Sequence, residues 1–288
     1  MGSGRCTPTR LPTLLAWAGG KQKLVKVLCQ YIPPHEVYVE PFAGGAALFW
    51  AKEPAKVNVL SDIDCRLIRF YETVRGLSSL EELTKFGWAP DRARFEELRE
   101  CIKREPYCTD DPLFLAYALL YVNKFGYGAK VGYPTYNPTK EKRCSGKELC
   151  QIEKAAGRFP EIRERLKKAI LICADFRQVI PKFDSPSTFF FVDPPYWRPE
   201  HKGSNPAHYA ETGVSPTEVA GALRGIRGKF LVTYNDHPDV RAAFQGFRTV
   251  PVEGREEMGR FVPTTGERRG PRPFPQLLIM NYDLGGHG

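Results

Sequence analysis

Asp193, Pro194, Pro195 and Tyr196 follow the run TFFFV at 188–192 and precede Trp197. A run so rich in aromatic and β-branched residues has the composition of a strand buried on both faces of a parallel sheet. Neither proline can donate to a ladder, so the strand must stop at Asp193. The result is a rigid corner displaying a carboxylate, free carbonyl oxygens and an aromatic ring. In open α/β sheets ligands bind at the carboxyl ends of the strands, so this corner reads as a site as well as a turn.

Other strand-like segments also end in acids: Glu40 closes 37–40, Asp62 follows 56–60, and Asp175 follows 169–173. After Glu40 comes PFAGGAALFW, where small residues at a strand-to-helix turn let the backbone approach a ligand closely. A carboxylate at the end of the second strand suits a ribose diol, because it can accept from both hydroxyls. The glycine turn lacks G-x-G-x-x-G spacing, so a pyrophosphate cradle is poorly supported and a nucleoside without phosphates fits better.

The elements that must position these residues are legible in outline. Strand patterns at 37–40, 56–60, 169–173, 188–192, 229–234, 247–252 and 276–282 alternate with helical ones at 24–31, 66–75 and 217–227, the last with Ser215 as its N-cap and Pro216 in its first turn. This is an α/β chain with a seven-stranded Rossmann-like sheet and helices on both faces. Between them, helical candidates at 79–86, 91–104 and 111–123 lead into a strand-poor loop, NKFGYGAKVGYPTYNPTKEKRCSGK. The expected division is a catalytic domain of residues 1–71 and 161–288 with a mainly helical insertion at 72–160. The stretch 198–214 is long enough to act as a lid.

The 288 residues carry a formal charge of +9, and 121–170 alone holds twelve basic against five acidic residues. Aromatics among those basic residues suit stacking on bases and pairing with phosphates, so a polyanionic partner is the natural reading. No apolar run spans a bilayer and residues 1–10 lack a secretory apolar stretch, which predicts a soluble, cytoplasmic protein with no membrane partner. Eight scattered cysteines without a C-x-x-C pair are expected to be reduced thiols. A zinc site among Cys101, Cys108, Cys144 and Cys150 is disfavoured by gaps of six and five residues, and no metal is expected.

Seven segments, in order, resemble those of the Dam-type (D12 class) DNA adenine-N6 methyltransferases, enzymes that use S-adenosyl-L-methionine. They are WAGGK at 17–21, EPFAGGAAL at 40–48, LSDID at 60–64, NKFGYG at 123–128, ADF at 174–176, DPPYW at 193–197 and LLIMNY at 277–282. The resemblance implies methyl transfer to the N6 amine of an adenine swung out of double-stranded DNA. It assigns the cofactor to Trp17, Lys21, Glu40, Phe42, Gly44, Gly45, Asp62, Asp175, Phe176 and Asp193. It assigns chemistry to Asp193, Pro194, Pro195 and Tyr196, the acid and the first proline's carbonyl accepting from the amine while the tyrosine stacks on the base. Ala46 departs from the family, standing where a second glycine is usual.

The helical insertion becomes the target-recognition region under the same resemblance. Tyr127, Lys124, Lys130, Lys140, Lys142 and Arg143 are its candidate DNA contacts, with Tyr209 in the lid. Arg268 and Arg269, among Arg255, Arg260 and Arg272, form a second basic surface. No arginine follows Tyr127 until Arg143, so a GATC recognition sequence is in doubt. A monomer or weak dimer is expected, and a companion restriction endonuclease is left open. The same corner also suits cytosine N4 or an RNA base, and a non-catalytic DNA-binding module is the rival outside enzymology.

Overall fold

The computed structural model describes residues 11–17, 21–103, 105–127, 134–138, 155–197, 199, 214–255 and 273–283, without the side chains of 254, 255, 273 and 274. Seven strands form one sheet: β1 (Val37–Glu40), β2 (Val57–Asp62), β3 (Ala169–Cys173), β4 (Thr188–Val192), β5 (Lys229–Asn235), β6 (Arg248–Arg255) and β7 (Pro273–Met280), in the order β3-β2-β1-β4-β5-β7-β6. The first five run parallel; β7 is inserted antiparallel between β5 and β6. The expected seven-stranded α/β sheet is the observed one.

Alternation along the strands explains the two layers. Tyr38, Leu60, Phe189, Phe191 and Leu231 face one apolar cluster, whereas Val39, Val59, Phe190, Val192 and Val232 face the other. On the first face lie α2 (Ala47–Ala51), α3 (Cys65–Gly76), α4 (Glu81–Thr84), α5 (Arg92–Cys101), α6 (Pro112–Phe125) and α7 (Phe159–Lys167), preceded in the chain by α1 (Val25–Leu28). The second face is covered by α8 (Phe176–Phe183), α9 (Pro216–Leu223) and α10 (Pro238–Ala243). The helix starts follow capping chemistry: Asp64, Asp91, Asp111 and Asp175 each accept a backbone amide two or three residues on, and Ser215 with Glu218 forms a capping box.

The helical segment after β2 has no core of its own. Its central helix, α6, is buried from Ala116 to Phe125, and its side chains join the same cluster as Tyr38 and Phe189 of the sheet. The boundary placed at 71/72 falls inside α3, which is continuous to Gly76. No described helix is long and apolar enough to cross a membrane.

The expectation that the cysteines are reduced thiols fails. Cys65 is joined to Cys173 and Cys101 to Cys108, and Cys29 is disulfide-bonded as well. The reason is tertiary: Cys65 opens α3 beside the end of β3, where Cys173 stands, so residues 108 apart in sequence have Cα atoms 5.1 Å apart. With Cys101 and Cys108 bonded to each other, neither is a zinc ligand; Cys144 and Cys150 lie outside the described residues.

Candidate active site at the carboxyl edge of the sheet

In the order β3-β2-β1-β4-β5 the chain reverses direction of growth between β1 and β4, and the crevice at such a switch point is where open α/β sheets bind ligands. The turn after β1, the acid ending β2 and the corner after β4 all open on this edge. Sequence motifs far apart in the chain meet here because the parallel register aligns their strand ends.

Asp62 holds the turn after β1 against the end of β2. Its Oδ2 accepts from the Gly44 amide at 3.0 Å and its Oδ1 from the Asp64 amide at 3.0 Å, so one carboxylate ties the glycine turn to the end of β2. Burial pushes its pKa up to about 6, and its backbone donors offset only part of that rise. Ile63, the next residue, is 53% exposed. Phe42 and Phe176 stack at a centroid distance of 5.0 Å, joining the turn to the start of α8. Phe176 itself is only 3% exposed, so its ring is packed into the core; its amide sits in the first turn of α8, where donors have no partner within the helix. Asp175 caps α8 and is paired with Arg177 at 2.7 Å.

The glycine turn is shaped from the protein side. Gly44 has φ +47°, and a Cβ there would come within 2.8 Å of Cδ1 and Nε1 of Trp17, so the half-buried indole lies directly on the turn. Trp17 is in turn fixed from the helical segment: the Asn123 carboxamide accepts from the Ala16 amide at 2.9 Å and donates to its carbonyl at 2.7 Å. The Tyr71 hydroxyl of α3 donates to the Gly44 carbonyl at 3.0 Å. Ala46, the departure noted in the sequence, adopts φ 51°, ψ 42°, the left-handed region that glycine enters without penalty.

Glu40 does not take the cofactor role assigned to it. It is 1% exposed, and its Oε1 accepts from the Tyr38 hydroxyl at 2.6 Å and the Phe49 amide at 2.9 Å, which anchors α2. Burial lifts its pKa to about 8 against those two bonds, and both bonds tie it to the core.

Asp193 stands at the mouth of β4 with its side chain 19% exposed. Two partners converge on its Oδ1: Lys21 Nζ at 2.5 Å and the Thr233 hydroxyl at 2.5 Å. Lys21 is 3% exposed and its ammonium also lies 4.7 Å from the centre of the Tyr196 ring. Burial alone would lower the Lys21 pKa, but Asp193 and Tyr196 outweigh it and the net shift is upward. Pro194 is buried, and Pro195 and Tyr196 are partly exposed.

The nucleic-acid candidates divide. Tyr127 is 42% exposed at the end of α6. Lys124, one turn earlier, points inward at 8% exposure among Thr13, Leu14, Leu80, Thr84, Leu120 and Ala155, so its reading as a phosphate contact is withdrawn. Lys130, Lys140, Lys142, Arg143, Tyr209, Arg268 and Arg269 lie outside the described residues. An open groove of about 560 Å³ between α8 and α9 is elsewhere; its Arg177, Glu218, Asp184 and Arg227 are paired among themselves.

Sequence reasoning missed Thr233 and Asn235, and gave Ile63 and Asn123 only as parts of motifs. None carries a spacing signature; each is recognisable only once its strand or helix is docked.

A family model described as D12 class N6 adenine-specific DNA methyltransferase matches residues 17–258. A DNA adenine methylase of Vibrio cholerae serotype O1 is 27% identical over 270 residues, covering 85% of this chain and 89% of that protein. One of Salmonella typhimurium is 25% identical over 278 residues, covering 94% and 95%. A DNA N-6-adenine-methyltransferase of Escherichia phage P1 is 28% identical over 277 residues, covering 90% of this chain and 34% of that longer protein.

Proposed function

The chain belongs to the D12 class of N6 adenine-specific DNA methyltransferases, and from that premise we propose that it takes its methyl group from S-adenosyl-L-methionine and delivers it to an adenine swung out of duplex DNA. The observation that carries this reading is the stiff Asp193–Tyr196 corner at the switch point, facing the turn after β1 and the acid of β2.

The residues present fit such a donor at its nucleoside end. Asp62 is a half-buried acid at the end of β2 suited to a diol, Ile63 and Phe42 supply apolar surface, and the first amide of α8 faces the same edge. When bound, the donor supplies an electrophilic methyl carbon on a sulfonium. Everything else falls to the chain's own groups. The lone pair of an adenine N6 is conjugated with the ring and weakly nucleophilic. Two acceptors lying off the base plane, Asp193 Oδ2 and the Pro194 carbonyl, favour a nitrogen closer to tetrahedral and release that lone pair.

As positive charge develops on the nitrogen, the Asp193 carboxylate stabilises it electrostatically. Tyr196 stacks on the extruded base, an interaction worth about 1–3 kcal/mol. The prolines hold the carbonyl where a freer backbone would misplace it. The amine loses its proton after transfer, so the site needs no separate general base at this corner. The helical segment that follows α3 acts as the DNA-reading unit, with Tyr127 as its described surface aromatic.

The experiment is methyl transfer from isotopically labelled S-adenosyl-L-methionine to duplex DNA, followed by nucleoside mass spectrometry. Labelled N6-methyladenine is expected. Asp193→Ala should abolish the product while cofactor affinity, measured by calorimetry, stays within a few-fold; full activity in that variant would refute the assignment.

A further inference from the structure

β5 outruns β4. The parallel register pairs Val192, the last residue of β4, with Val232, and β5 continues through Asn235 beside the corner. Pro194 and Pro195 have removed the N–H groups that would have extended the ladder. Side chains take its place. Thr233 and Asn235 are two residues apart and so project from one face of β5. The Thr233 hydroxyl donates to Asp193 Oδ1, while the Asn235 carboxamide accepts from the Trp197 amide at 2.9 Å and donates to the Trp197 carbonyl at 2.9 Å.

We infer that Thr233 and Asn235 are positioning residues for methyl transfer, gripping the two ends of the Asp193–Trp197 corner so that Asp193 Oδ2 and the Pro194 carbonyl face the incoming amine. The inference rests on the methyl-transfer function proposed above. A strand interior has no need of a hydroxyl at a position with 0% exposure, since valine has the same shape and the higher strand preference. A buried hydroxyl is costly unless bonded, and this one is bonded to the acid that the chemistry uses. Lys21 takes the same oxygen from the N-terminal side, so both described partners of Asp193 sit on Oδ1 and the direction of Oδ2 is set. Lys21 therefore serves the acid directly, whatever it offers the cofactor. At the far end, a single carboxamide satisfies both polar groups of the Trp197 peptide and replaces two ladder bonds, which fixes Tyr196 from the residue that follows it.

The test uses the full chain with duplex DNA and labelled S-adenosyl-L-methionine. Thr233→Val should lower kcat by about 10- to 100-fold, the scale of a small misplacement of a reacting group. KM for the cofactor should stay within about threefold and the cooperative unfolding transition should be retained. Thr233→Ser should recover most of the loss, because it restores the hydroxyl without the methyl. Asn235→Asp keeps the acceptor and loses the donor, and should fall between wild type and Asn235→Leu in kcat. A Thr233→Val enzyme with wild-type kcat, or a loss that serine does not restore, overturns the inference alone. Wild-type protein that transfers no methyl group overturns the functional reading, and the inference with it.

Discussion

The indole of Trp17 rests on the backbone of Gly44, so closely that one added methyl group at residue 44 would sit 2.8 Å from the ring. The contact joins the N-terminal segment to the turn after β1, and Asn123 carries it on into the helical segment through Ala16. The glycine is therefore needed for the protein's own packing, before any ligand is considered.

Gly44→Ala should destabilise the protein by roughly 2–4 kcal/mol. About 1–2 kcal/mol of that is the left-handed backbone, and the remainder is overpacking against the indole. Urea unfolding should show that in a Trp17→Ala background the same substitution costs only the backbone share, a coupling that a double-mutant cycle reads directly. Equal costs in the two backgrounds would mean that the indole is not what excludes a side chain.

Ala46→Gly should leave the protein as stable or up to about 1 kcal/mol more stable. Relief of the left-handed strain exceeds the entropy that glycine adds to the unfolded chain by only a small margin. A shift in the urea midpoint, at unchanged slope, is the measurement. A loss above 1 kcal/mol would contradict the backbone account of this position.

Breaking the Cys65–Cys173 bridge should cost about 4–5 kcal/mol in the chain-entropy account of a loop this long. The bridge lies between Asp62 and Asp64 on one side and Asp175 on the other, so cofactor affinity should fall along with stability. Thermal unfolding with and without a phosphine reductant, set beside a Cys65→Ala, Cys173→Ala variant, separates this bridge from the other pairings. A melting temperature indifferent to both treatments would show that the crosslink contributes nothing.

Cofactor binding should weaken as pH falls through about 6. The Asp62 carboxylate is the form that accepts from a diol, and its pKa stands near 6 rather than near 4, so protonation begins to compete in mildly acid solution. Above that value affinity should level off. Calorimetric titrations from pH 5 to 8 should show the slope in wild type and a weak, flat response in Asp62→Asn. A wild-type profile that is flat over the same range would remove Asp62 from the binding step.

What the sequence disclosed follows from where its signals are local. β1, β3 and β4 were legible at their ends because acids and prolines interrupt continuous apolar runs, and α9 because Ser215 and Pro216 mark its start. α8 was missed, since Pro181 inside it reads as a breaker. α7 was missed because Pro160 reads as a boundary, whereas in the first turn of a helix proline is favourable. Lys124 looked like a DNA contact because charge patterning does not say which way a residue on an all-apolar helix faces. Glu40 looked like its neighbours Asp62 and Asp193 for the same reason: three acids ending three strands are equivalent until the layers are stacked. The disulfides depend on proximity over 108 residues, and the reach of Thr233 and Asn235 on the unequal lengths of two adjacent strands. None of these is a local property.

The strand that backs this grip is β7, where Thr233 faces Leu278 and Asn235 faces Gln276 in antiparallel register. It is synthesised after everything it supports. Until residues 273–280 emerge, β5 is a bare sheet margin with half its hydrogen bonds unmade, and the acid corner leans on an unsecured neighbour. A ribosome-tethered chain stopped before that strand should thus be catalytically silent.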